Sequence, residues 1–213
     1  MKQKNLTIAL VFLVTSFFAC EETNKIFLPE NITVTPGETK AVILTKAGWQ
    51  EFEKGNFSNA VDSFRLAIAE DYFYNDAYNG LGWALSRMDS LPIAQKNFTI
   101  AIISSNTPLE IYKDASAGRA FVNLALDEYN DAIADVNNAI TSRQYPYYSE
   151  YTFRHDINIT ELDLLLVKAE CYFLLEDYYN CYNTLLIIDD TLVVDQNNPE
   201  QLAEIIENLK TLI

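Results

Sequence analysis

One apolar stripe recurs along this chain at a fixed distance behind a small residue. Ala60, Val61, Phe64, Ala67 and Ile68 occupy i, i+1, i+4, i+7 and i+8, which is one face of a helix. Thirty-four residues further on, the stripe returns as Ala94, Phe98, Ala101 and Ile102. It returns again as Ala132, Ile133, Val136, Ala139 and Ile140, and in degenerate form as Cys181, Leu185 and Ile188. Twelve residues before each stripe's first member stands a small residue: Gly48, Gly82, Ala120 and Ala169. Turn signals fall between, as in Gly55-Asn56-Phe57, Asp127-Glu128-Tyr129 and Glu176-Asp177-Tyr178. The pattern predicts helix–turn–helix units. The small residue of the first helix admits the second helix closely. Neither helix buries its stripe alone, so units must stack.

The spacing of Gly/Ala, then Tyr/Phe, then Ala-x3-Phe-x2-Ala resembles the tetratricopeptide repeat (TPR). The match is best from Gly82 to Ile102. The Trp that often opens such a unit is replaced by Leu44, Tyr78, Ser116 and Leu165, and the usual closing Pro is missing from its place. The expected fold is all-α: a right-handed solenoid of about four TPR-like hairpins, at about 41–74, 75–108, 113–146 and 162–195. Asn198-Pro199-Glu200-Gln201 is a helix start, and Leu202, Ile205, Ile206, Leu209, Leu212 and Ile213 make one face of the helix that follows. A capping helix over 199–213 is therefore expected to cover the last unit of the helical domain 41–213. Cys171 and Cys181 flank the turn of the fourth hairpin and are either bridged or buried as thiols.

The N-terminus carries an address. Lys2 and Lys4 precede Leu6–Ala19, which is uncharged and too short to span a bilayer comfortably. The run Phe17-Phe18-Ala19-Cys20 resembles the lipobox of bacterial lipoproteins. The resemblance implies a signal peptide over 1–19, lipid on Cys20, and a location on the outer membrane of a Gram-negative envelope, facing the periplasm or the surface. Residues 20–40, with Pro29, Pro36 and Gly37, form a tether.

Composition narrows the function. The 30 acids against 15 bases give a net charge of −15, which opposes nucleic acid and anionic lipid surfaces as partners. His155 is the single His, and no phosphate loop, Ser-His-Asp set or metal-type Cys/His spacing occurs. The scattered carboxylates, Asp189, Asp190 and Asp195 included, lack the dense alternation of a calcium loop. The chain is expected to be no enzyme and to need no cofactor.

Binding is the expected role. In TPR proteins the first helices line a concave groove. The resemblance puts Trp49, Trp83 and Phe121 on it, with Phe52 one turn further along and Arg87 beside them. The pocket with which some TPR domains hold a C-terminal carboxylate is not matched by Thr45, Trp49, Gly80, Asp114 and Gly118. The partner is expected to be an envelope protein or peptide docking in an aromatic groove. A glycan stacking on Trp is the alternative. Between the third and fourth units lies an insertion over 142–161, crowded with Tyr147, Tyr148, Tyr151 and Phe153. It either carries a binding function or folds back to plug the groove.

Overall fold

The computed structural model describes residue 32 and residues 35–104, 106–140 and 151–211. Residues 1–19, Cys20, Tyr147 and Tyr148 lie outside the described residues. Among the described residues the chain is an all-α solenoid. Four hairpins pair α1 (Lys40–Glu53) with α2 (Phe57–Glu70), α3 (Asn75–Arg87) with α4 (Leu91–Ile103), α5 (Leu109–Ala125) with α6 (Tyr129–Ile140) and α7 (Glu161–Leu174) with α8 (Tyr178–Ile188). A last helix, α9 (Pro199–Lys210), packs on α7 and α8.

Every hairpin turns in the same way. Gly55, Asp89, Asp127 and Glu176 each adopt a left-handed φ of 57° to 79°. The residue after each donates its N–H five residues back, Asn56 to Glu51, Ser90 to Leu85, Glu128 to Asn123 and Asp177 to Tyr172, at 2.8–2.9 Å. This closure satisfies carbonyls that a helix end leaves bare. Helix starts are held by side chains: Thr39 accepts from Val42 N–H, Asp177 from Asn180 N–H, and Asn198 from the N–H groups of Glu200 and Gln201. Thr160 and Asp163 form a reciprocal capping box at the head of α7.

The stripes meet their notches. Phe64 of α2 and Phe98 of α4 are fully buried. A Cβ added to Gly48 would lie 2.6 Å from the Phe64 ring, and one added to Gly82 would lie 2.7 Å from Phe98. Each ring also fills a second notch on the following unit. Gly80 of α3 leaves only 2.3 Å to Phe64, and Gly118 of α5 only 2.4 Å to Phe98. One ring therefore locks its own hairpin and the next. In the third and fourth units the wedge shrinks to Val136 and Leu185, and the first-helix notch is filled to Ala120 and Ala169, all fully buried.

Because the first helices carry the notches, they touch one another along the array: α1 on α3, α3 on α5 and α5 on α7. No second helix contacts another second helix among the described residues. The first helices therefore make one continuous face, in the place of the expected concave face. Across the junction of units two and three, Arg119 of α5 donates two hydrogen bonds to Asp135 of α6, at 2.8 and 2.7 Å, and one to Thr99 of α4 at 3.0 Å. At the C-terminal end, Leu202 and Ile206 of α9 are buried against Leu166, Ala169, Cys181 and Leu185. Cys171 and Cys181 are free and buried, and burial pushes their thiols up to about 12 and about 11.

Gly80→Ala tests the second notch. Alanine favours a helix interior over glycine by about 1 kcal/mol. Overpacking a closed core costs about 1–3 kcal/mol. The variant is expected to lose stability despite its better helix propensity, read as a lower midpoint in urea. An unchanged or higher midpoint would mean that the Phe64 ring can step aside.

Candidate functional site

The concave face is built from equivalent positions. Trp49 of α1 and Trp83 of α3 follow their notch glycines directly, so both indoles point into the groove. Asp76 and Asp114 stand six residues before the small residue of their units, which puts both acids on the same wall. Trp49 Nε1 donates to Asp76 Oδ2 at 3.3 Å, and Trp83 Nε1 donates to the Asp114 carbonyl at 3.2 Å. The indoles are thus oriented by the acidic wall.

Residues 151–160, the described end of the insertion, lie in this groove as a strap. The strap is a short antiparallel turn. Thr152 pairs with Thr160, Phe153 N–H donates to the Ile159 carbonyl at 2.9 Å, and Glu161 N–H donates to the Tyr151 carbonyl at 2.9 Å. The Asp156 carboxylate tightens the bend by accepting from the Asn158 N–H and side-chain amide.

Three successive side chains enter the groove. The Phe153 ring stacks on Trp83 with centroids 4.2 Å apart and planes 20° apart. It meets Trp49 and Phe52 edge-on at 6.0 and 6.2 Å, and is 1% exposed. The His155 ring lies flat on Trp49, 3.7 Å between centroids and 5° between planes, with Nδ1 2.8 Å from Glu53 Oε1. Between the two rings, Arg154 Nε donates to Asp114 Oδ2 at 2.8 Å. Tyr151 donates its hydroxyl to the other Asp114 oxygen at 3.3 Å. Arg87 donates to Asp156 at 2.7 Å and closes the strap from the far side.

The electrostatics follow from burial. Asp114 is pushed up to about 6, because desolvation outweighs the Arg154 guanidinium and the Tyr151 hydroxyl. Burial raises the Tyr151 phenol well above its ordinary value, with Asp114 adding to it. His155 is lowered, again by burial, which exceeds the opposing pull of Glu53 and Asp76.

The structure brings Trp49, Phe52, Trp83 and Tyr151 together, but beneath or within the strap. Trp49 and Trp83 are 4% and 3% exposed. The expected open ladder of rings is covered, because Phe153 and His155 supply the flat partners that the indoles would otherwise offer to a ligand. Phe121 is half-buried, and with Trp83, Leu91, Ile159 and Arg87 it lines a cavity of about 300 Å³ beside the strap. Arg87 is paired with Asp156 instead of standing as a free cation. Sequence reasoning passed over Asp76, Arg154 and Glu53 as parts of the groove, and met Asp114 only as a mismatch to the carboxylate pocket. A signal existed: an acid stands six residues before the small residue in units two, three and four, at Asp76, Asp114 and Asp163. Asp189 and Asp195 bond within their own loop, to Thr191 and Asn197.

No protein-family model matches the sequence, and the search of curated proteins finds no match. Solved structures do match. A tetratricopeptide repeat protein from Parabacteroides merdae ATCC 43184 superposes with a TM-score of 0.54 at 16% identity, over 81% of this chain and 61% of that one. The MamA protein gives a TM-score of 0.54 at 17% identity, over 73% and 79%. The MamA RS-1 ArsTM double mutant gives 0.55 at 11% identity, over 82% and 97%.

Two titrations oppose each other in the groove. The folded chain holds the Asp114 proton more tightly than the unfolded chain does. This contribution to stability grows as pH falls through about 6 and vanishes at higher pH. The folded chain resists protonating His155, so stability is lost as pH falls below the ordinary imidazole range. His155→Phe keeps a flat ring on Trp49 and deletes only the second effect. Its melting temperature, relative to that of the unmodified chain, is expected to rise between about pH 7.5 and about pH 5. A difference independent of pH would show that the stacked imidazole does not resist its proton. The fold that sets these groups face to face is similar to that of solved TPR proteins.

Proposed function

We propose that the chain is a non-catalytic adaptor that docks a protein or peptide partner on the concave face of its first helices. One observation carries this reading: the face already seats a non-helical segment, through stacked rings and ion pairs. It therefore has the shape and chemistry to hold a peptide. The single His is part of the same seating, since it stacks on Trp49 with Nδ1 against Glu53. A glycan needs an open aromatic platform. The groove meets its present occupant with Asp114 on an arginine and Glu53 on an imidazole, which is side-chain chemistry a peptide supplies and a glycan does not.

The lipobox-like run ending in Cys20 supports anchoring at a Gram-negative envelope, where two or more acyl chains hold a protein stably. Cys20→Ala is expected to abolish fatty-acid labelling and to move the protein from the membrane to the soluble fraction. Persistent labelling would refute the anchor.

The docking face has its own test. Arg87 and Phe121 line the part of the groove that the strap leaves open. A crosslinked pull-down from the native envelope, with the unmodified chain beside Arg87→Ala/Phe121→Ala, is expected to retain a partner only on the unmodified chain. A partner held equally by both would place docking elsewhere.

A further inference from the structure

The strap is attached to the groove by side chains alone. Its main-chain hydrogen bonds run within itself or to the first turn of α7, where Glu161 N–H donates to the Tyr151 carbonyl and Leu164 N–H to the Thr160 carbonyl. Among the described residues, no main-chain bond joins 151–160 to α1, α3 or α5. Lifting it out would break no main-chain hydrogen bond of α1, α3 or α5.

It would leave two acids in need. Asp114 is 3% exposed and, among the described residues, pairs with the cation of Arg154. Without the strap Asp114 loses the guanidinium and the hydroxyl that it accepts from, so a segment that takes the strap's place and buries Asp114 again must return a cation to it. The fit of the present occupant is also incomplete. Asp76 Oδ1 is enclosed and accepts no hydrogen bond, with the Arg154 guanidinium 3.9 Å away. A guanidinium set slightly deeper would satisfy both acids. The flanking slots ask for rings: one facing Trp83 between Trp49 and Phe52, the other flat on Trp49 beside Glu53.

We infer that the groove is a receptor for a partner segment presenting an aromatic residue, an arginine and a second flat ring in succession, and that residues 151–160 are its resident occupant, displaced when such a segment arrives. This deepens the adaptor reading and rests on it. The strap is then a competitor within the chain, and its chemistry is a template of the partner's.

The probe is a fluorescent, backbone-cyclised peptide with the sequence of residues 151–160, Tyr-Thr-Phe-Arg-His-Asp-Ile-Asn-Ile-Thr. Cyclisation preforms the bend and removes most of the ordering cost. It is titrated into the full chain and into Phe153→Ala/Arg154→Ala/His155→Ala, in which the strap has lost its grip. The variant is expected to bind at least about tenfold tighter than the unmodified chain. Changing the peptide's arginine to alanine is expected to abolish binding. A helical variant that binds the peptide no better than a scrambled ring overturns the inference. If the triple variant does not fold, Arg154→Ala/His155→Ala keeps Phe153 in the core and serves the same comparison.

The unmodified chain gives a further readout. Excess peptide is expected to raise hydrogen exchange at the amides of 152–160, and unchanged exchange overturns displacement. A peptide that fails while the envelope partner still depends on Arg87 and Phe121 sinks this inference and leaves the adaptor reading standing.

Discussion

A phenyl ring held between two glycines is the contact on which the array depends. Phe64 sits against Gly48 of its own hairpin and Gly80 of the next, and Phe98 repeats the arrangement with Gly82 and Gly118. The ring-to-Cβ distances available, 2.3–2.7 Å, exclude any side chain at those four positions unless the ring moves. Close approach of helix backbones follows, and with it the stacking of first helices on one another. The concave face, its paired indoles and its acidic wall are all placed by that spacing.

Much of this architecture is written locally. Periodicity within about twelve residues marks each stripe, and a small residue a fixed step earlier marks each notch. The turn residues Gly55, Asp127 and Glu176 are visible in the same way. Gly80 and Gly118 also stand in the sequence, but their use depends on which neighbour supplies the ring, and local spacing does not say that. Trp49 and Trp83 are legible as groove residues because they follow the notch. Their covering is not legible. It arises from a segment far along the chain whose stacked rings and single arginine complement an acidic wall assembled from two other units.

The groove's chemistry also explains why the strap suits this chain in particular. The protein carries a net charge of −15, and Asp76 and Asp114 lie within the reach of one guanidinium. Burial raises Asp114, which weakens its hold on charge, while Arg154 and Tyr151 draw the carboxylate back toward ionisation. The aromatic contacts add area and orientation: Phe153 is flat on one indole and edge-on to the other, an arrangement that fixes a ring more tightly than apolar burial alone.

The strap alters how such an array holds together. A solenoid couples each unit only to its neighbours, and it can fray from either end in small steps. Here one short segment reaches Glu53 in the first hairpin, Arg87 in the second and Asp114 in the third, across sequence separations of 102, 69 and 40 residues. Contacts of that span are slow to form, because large loops must close before they are rewarded. The helices are therefore expected to assemble first and the brace to close last. The brace ties the first three units to one segment, so they are expected to melt with more cooperativity than contacts between neighbours alone would give.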